Sequence, residues 1–488
     1  MGEFSMGDFS VKWLAVGLGV TGILVAAAVL APSYLGLALA GAVVIAVATK
    51  PVGRLALFVI GGLVAMGGTS GLGATKIGYA ALIALLVVVG LQRILAEKDE
   101  AWQRLIRPAL ATSGLLGLLT TIAAFVGAIQ GNPLTLIGQD AFTYALLAAA
   151  PIIGVDAAIG GTFKRLKPLV AVVGVVAASS WAVWWLARRG SAIGGLDRIL
   201  LSSSFLGFAV FAIALVLAVN SRSGIARTGW GFLAIAIPLV YIASGSRSMV
   251  VFALGIIGVL GAQKVGRLPL TKTVLAGVVA CATALWALPY IFQALPDGDR
   301  ILRRFAGIGE LLGSSQGIES DGSYVERARA YKITTDMFLN FPILGQGFGH
   351  RYPSVSGLTE GDLKVDSPLL IFAKFGIIGT AMLLAVLWQL WRLSLETRGP
   401  GELRLGGTVI RVFACITVGR LFFVAPTEDK GTAYALALII CFALIACRQD
   451  RHVFGEAESP PTATRQTQKT GPPPTPEPKR TRQHSTFP

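Results

Sequence analysis

"DSPLLIFAKFGIIGTAMLLAVLWQLW", residues 366–391, is apolar after its opening except for Lys374, Thr380 and Gln389, and the lysine is its only charge past Asp366. A helix crossing the hydrocarbon of a bilayer needs about 20 apolar residues in succession, and this run supplies them. Similar runs continue downstream near 408–424 and 431–447, and upstream near 272–294, 248–262 and 229–243. Farther upstream they recur near 201–219, 168–187, 139–158, 108–129, 76–95, 52–68, 33–49 and 11–31. The 488 residues are 54% hydrophobic and 14% charged, too apolar for a soluble globular chain. The reading is an all-α polytopic transmembrane helical bundle of about 12–14 spans.

Two stretches depart from this texture. Residues 295–365 are polar and rich in turn signals, and the tail holding "SPPTATRQTQKTGPPPTPEPKRTRQ" is basic and rich in proline. Such a tail cannot build a core and is expected to be disordered. The predicted organisation is an N-terminal transmembrane bundle over 1–294 and a large loop domain over 295–365. C-terminal spans over 366–447 and the tail over 448–488 complete it.

The net charge of +16 points to the membrane surface and away from nucleic acid, because of where the charges fall. Lys50 and Arg54, then Arg93, Lys98, Arg104 and Arg107, then Lys164, Arg165 and Lys167 lie in alternate loops. Arg222 and Arg227, Lys264, Arg267 and Lys272, and Arg392, Arg398, Arg404 and Arg411 continue the alternation. This is the positive-inside pattern. It predicts a multi-pass membrane protein, both termini cytoplasmic, with 295–365 an extracytoplasmic loop. The four cysteines, Cys281, Cys415, Cys441 and Cys447, fall within predicted spans and form no CxxC or Cys/His cluster, so they read as packing residues.

Basic residues that break the alternation stand out. Arg188 and Arg189 sit in a predicted outer loop, either snorkelling from a helix end or contacting an anionic ligand. Arg247, in "IASGSRSMVVF", sits where one span ends and the next begins. Free backbone N–H groups and the positive end of a helix dipole would stand beside its guanidinium, a setting suited to a diphosphate. In "SYVERARAYKITTDMFLN" the Ser323/Glu326 capping box starts a helix. Tyr324, Ala328, Tyr331, Thr335 and Phe338 then share one face, with Arg327 at its flank and Arg329 turned to solvent. Pro342 ends that helix, and Gly345, Gly347 and Gly349 allow a tight turn or a close approach to a ligand. His350 closes the turn. Asp366 opens the following span, as a simple N-cap or as a site residue, while Lys374 and Arg420 are charges inside predicted spans, where charge is costly and marks function or an ion pair.

Taken in order, "SGSRSMVVFALG", "ERARAYKITTDMFLNFPILGQGFG" and "VDSPLLIFAKFGIIG" resemble the segments of the O-antigen ligase and O-antigen polymerase family, over roughly 240–385. The resemblance implies a GT-C-like helical fold that moves glycan from a polyprenyl-diphosphate carrier to a saccharide or lipid acceptor at the outer face, without cofactor or metal. Arg247 and Arg327 match the family's two arginines, and Pro342, Gly345 and Gly347 match its turn. The ligases' His-Asn doublet falls near Val365 and Asp366, so that histidine is absent here, and polymerase and ligase both stay open. On this reading the arginines stabilise the departing diphosphate, and a base assists the attacking hydroxyl. Asp366 is the first choice for that base and His350 the second. Arg188, Arg189, Tyr331, Lys374 and Arg420 are candidate substrate contacts. The rivals are a lipid-linked oligosaccharide flippase or other secondary transporter, and a SEDS-class polymerase. A transporter would show internal repeats, and none is visible.

Overall fold

The computed structural model describes residues 46–66, 73–188, 204–221, 223–243, 322–352, 369–397, 405–420 and 429–458, with isolated positions between them. In order, the helices are α1 (Pro51–Met66), α2 (Ala74–Ala96), α3 (Glu100–Ile129), α4 (Leu134–Ile159), α5 (Phe163–Arg188) and α6 (Ser204–Asn220). They continue as α7 (Gly224–Ala243), α8 (Gly322–Asn340), α9 (Leu370–Glu396), α10 (Leu405–Arg420) and α11 (Lys430–Glu458). No strand occurs among the described residues. The protein is an all-helical polytopic bundle. Five helical stretches are long and apolar enough to cross a membrane: Ala74–Ala96, Glu100–Ile129, Leu134–Ile159, Leu370–Glu396 and Gly431–Arg448. The runs expected near 11–31 and 272–294 lie outside the described residues, as do most of those near 33–49 and 248–262.

The helices overrun the apolar windows, for local reasons. α3 begins at Glu100 rather than near 108 because the Asp99 carboxylate accepts from the backbone N–H groups of Ala101 and Trp102, capping an earlier turn. α11 continues to Glu458, past the boundary at 447 that composition suggested. No proline stands in its way before Pro460, and an X-Pro step is where a helix stops.

α4 and α11 form the centre of the bundle. Every residue from Gly431 to Cys447 is buried, including Cys441 and Cys447, and α4 is nearly as enclosed. Small residues permit this: a Cβ on Gly154 of α4 would lie 2.7 Å from the Ala437 carbonyl oxygen of α11, the close backbone approach by which membrane helices associate. α2 sits at the periphery and leaves Ile77, Leu85, Val88 and Leu95 exposed, an apolar surface suited to lipid.

One ion cluster ties α1, α2 and α4 together. Arg54 donates to both carboxylate oxygens of Asp156, Nε to Oδ2 at 2.6 Å and Nη2 to Oδ1 at 2.9 Å. Arg93 adds Nη1 to Oδ1 at 2.8 Å. Its Asp156 and Arg54 side chains are almost fully buried, which is tolerable only because the carboxylate is doubly paired and bidentate.

Candidate active site

α9 is broken. Gly376 has φ 61° and ψ −165° within it, and such a break frees backbone groups on both sides that lipid cannot satisfy. The glycine turn fills it. Gln346 and Gly347 donate their N–H groups to the carbonyls of Ala373 (2.8 Å) and Lys374 (3.0 Å). On the far side, Ile377 and Ile378 donate to Pro342 (2.9 Å) and Ile343 (3.2 Å). Residues 342–347 therefore act as a plug that completes the hydrogen bonding of a discontinuous helix.

Gly345, Gly347 and Gly349 all have positive φ, 71°, 71° and 80°. At Gly347 the need for glycine is twofold, since a Cβ would also run into the backbone of Gly127 on α3. The glycines thus let the turn press onto neighbouring helices, which is the first of the two uses open to them in sequence. Phe348 donates its N–H to the Ala123 carbonyl at 2.9 Å. Its ring is buried between Tyr144 and Phe375, at 5.1 and 5.8 Å between centroids.

The α3–α4 connection clamps the turn from the other side. Gln130 Nε2 donates to the Gly345 carbonyl at 3.0 Å. Asn132 Nδ2 donates to the carbonyls of Gln346 (3.3 Å) and Phe348 (2.9 Å). Asp140, near the start of α4, accepts the Gly349 N–H on Oδ2 at 2.9 Å. Its Oδ1 lies 3.3 Å from Lys374 Nζ, both side chains being buried. Lys374 is thus engaged in an ion pair, one of the two outcomes expected for a charge inside a span.

His350 follows directly. Its imidazole is half-buried and stands edge-on to Tyr352 at 5.2 Å, and its Nε2, itself buried, has no hydrogen-bond partner among the described residues. Burial first, and the Lys374 charge second, lower its proton affinity below the ordinary value of 6.5. It is therefore a neutral ring at pH 7, able to accept a proton through an uncommitted nitrogen.

α8 leads into the turn and starts within one residue of the capping serine. Its packed face differs from the expected one. Ala328 and Thr335 are exposed, while Ala330 and Thr334 are buried and Ile333 and Met337 partly so. The cause lies on α9 and just before it: the Thr334 and Ser367 hydroxyls hydrogen-bond at 2.9 Å, and Phe338 meets Phe372 edge-to-face at 5.7 Å. Tyr331 remains half-buried and Arg329 exposed, as expected. Arg247, Arg189 and Asp366 lie outside the described residues. Arg188, Arg327 and Arg420 are placed by their helices alone, Arg188 and Arg420 at the last positions of α5 and α10 and Arg327 in the second turn of α8. Among the described residues, no three His, Cys, Asp or Glu side chains gather as a metal ion would need.

Residues 230–384 match the family model described as O-antigen ligase. Over this segment the chain is similar to that family. The match supports a membrane glycosyl-transferring role of the ligase or polymerase kind. The O-antigen ligase match takes in α8, the glycine turn, His350 and the broken part of α9. The clamp of Gln130, Asn132 and Asp140 belongs to the chain before it. No curated protein matches the chain.

Sequence reading missed the clamp. Asp140 and Asp156 are the acidic counterparts of the intramembrane charges that drew notice, and a search for carboxylates within apolar runs finds both. Gln130 and Asn132 carry no comparable signal.

Proposed function

We propose that the protein transfers glycan from a polyprenyl-diphosphate carrier to a saccharide or lipid acceptor at the outer face of the bacterial inner membrane. The acceptor hydroxyl attacks the anomeric carbon and the bond from that carbon to the diphosphate oxygen breaks. The bonding pair leaves with the diphosphate, and the hydroxyl proton passes to His350 Nε2. Arg247 and Arg327 meet the charge that develops on the leaving group, a task for which a planar guanidinium fork suits phosphate better than an ammonium does.

The observation that carries this reading is the neutral, half-buried His350 with an unpartnered Nε2, held on a rigid turn inside the segment similar to the O-antigen ligase family. It supports His350 as the base, while Asp366, the first choice from sequence, lies outside the described residues. Orientation is supported by the two ends of α4: Asp156 meets arginines from the basic loops assigned to the cytoplasm, and Asp140 and the turn lie at the opposite end. Cells lacking the protein test the activity. Single repeat units left on the carrier mean polymerase, and long chains left on the carrier mean ligase. Unchanged lipid-linked and polymeric glycans would reject both.

A further inference from the structure

We infer that Asp140 is a positioning residue for His350, holding by one carboxylate both the peptide that leads into the imidazole and the cation behind it. The inference rests on the reading of His350 as the base. Oδ2 fixes the Gly349 N–H, the peptide immediately before His350. The same peptide is pressed onto α4, where a Cβ on Gly349 would lie 2.7 Å from the Ile137 nitrogen, one helical turn before Asp140. Oδ1 faces the Lys374 ammonium, the charge that acts on the imidazole from α9. One oxygen therefore fixes where the ring stands, and the other offsets the charge that disfavours its protonation. Among the described residues, the charged and titratable groups near the ring are Asp140 from α4, Lys374 from α9, and its chain neighbours Arg351 and Tyr352.

This gives a coupling that a purely structural carboxylate would lack. Asp140→Asn keeps an amide oxygen for Gly349 but removes the carboxylate charge that Asp140 sets against Lys374. With less opposing charge beside it, the ammonium makes His350 harder to protonate. Turnover that requires neutral His350 then survives to lower pH, so the acid limb of the pH–rate profile moves down. Adding Lys374→Met removes the cation, and the limb moves back up. Asp140→Ala/Lys374→Met is equally neutral but offers Gly349 no acceptor, and a ring misplaced by a fraction of an ångström slows transfer by ~10- to 100-fold.

The test uses the full chain in detergent with a polyprenyl-diphosphate-linked glycan and acceptor, measuring kcat, KM and the pH–rate profile. Reaction of His350 with diethylpyrocarbonate across pH, read by mass spectrometry, follows the imidazole without turnover. We expect the limb and the modification profile to shift together, down in Asp140→Asn and back in the double variant. We expect kcat to fall in Asp140→Ala/Lys374→Met, and Asp140→Asn to have no further effect on a His350→Gln background. Unmoved pH profiles together with wild-type kcat in the Asp140 variants, while His350→Gln is slow, would overturn the positioning role and leave the base assignment standing. Full turnover in His350→Gln would overturn the base assignment itself. If Asp140→Asn does not fold, the charge-neutral pair of double variants still decides the matter.

Discussion

α4 carries two buried carboxylates, and they do opposite work. Asp140 and Asp156 stand at opposite ends of one helix, about 24 Å apart at 1.5 Å per residue. Asp156 is closed off by two arginines from α1 and α2, with Arg54 bidentate. Asp140 shares itself between a lysine and a backbone N–H, and the residue after that N–H is an imidazole with a buried, unpartnered nitrogen. The same residue type on the same helix thus locks the bundle at one end and shapes a site at the other. What separates them is the partner: a guanidinium fork completes a carboxylate, whereas an ammonium leaves one oxygen to organise a turn.

That contrast can be broken experimentally. The largest effect on the fold is expected at the closed end. Arg54→Ala leaves Asp156 with only Arg93, and breaking a buried ion pair costs about 3–5 kcal/mol. Thermal unfolding in detergent should show a large loss, and a near-normal Tm would mean that the cluster is hydrated. Replacing either proposed diphosphate arginine, Arg247→Lys or Arg327→Lys, should lower turnover ~100-fold or more with the fold retained, whereas Arg329→Ala should be nearly silent. Equal losses at Arg327 and Arg329 would remove the basis for choosing between them.

The clamp lies between these extremes. Asn132→Ala leaves the Gln346 and Phe348 carbonyls without this donor, and an unsatisfied buried group costs about 1–3 kcal/mol. Tm should fall by less than in Arg54→Ala, while kcat falls because the turn is loosened. A change in Tm with kcat untouched would show that the turn need not be rigid. The smallest expected effect is that of pH on the unmodified protein. His350 is held below its ordinary value of 6.5, so it stays neutral across the neutral range. Turnover should be flat there and decline only as pH falls below that value. A decline beginning above pH 7 would point to a different titrating group.

Much of the fold was legible because hydrophobic runs report the bilayer directly. Each described helix except α8 follows from one such run, and α8 follows from its cap and from Pro342. The misjudged edges, at Glu100 and Glu458, are polar turns that continue a helix beyond the lipid, where hydropathy carries no information. The α8 face was misread because its apolar residues are sparse, and what orients it is a hydroxyl pair with Ser367, supplied by another part of the chain. The turn was visible as glycines around a histidine, but its plug function was not. Gly376 betrays a break only once the backbone is seen, and the amide of Gln130 acts on a carbonyl 215 residues away. Pairings of that range leave no local pattern.

The most direct measurement is the rate at which purified protein moves glycan from a polyprenyl-diphosphate donor to an acceptor, compared between the unmodified chain and His350→Gln. The account predicts transfer by the former and a rate ~100-fold lower in the latter, with donor KM little changed and both proteins equally folded. Equal turnover in the two would contradict it.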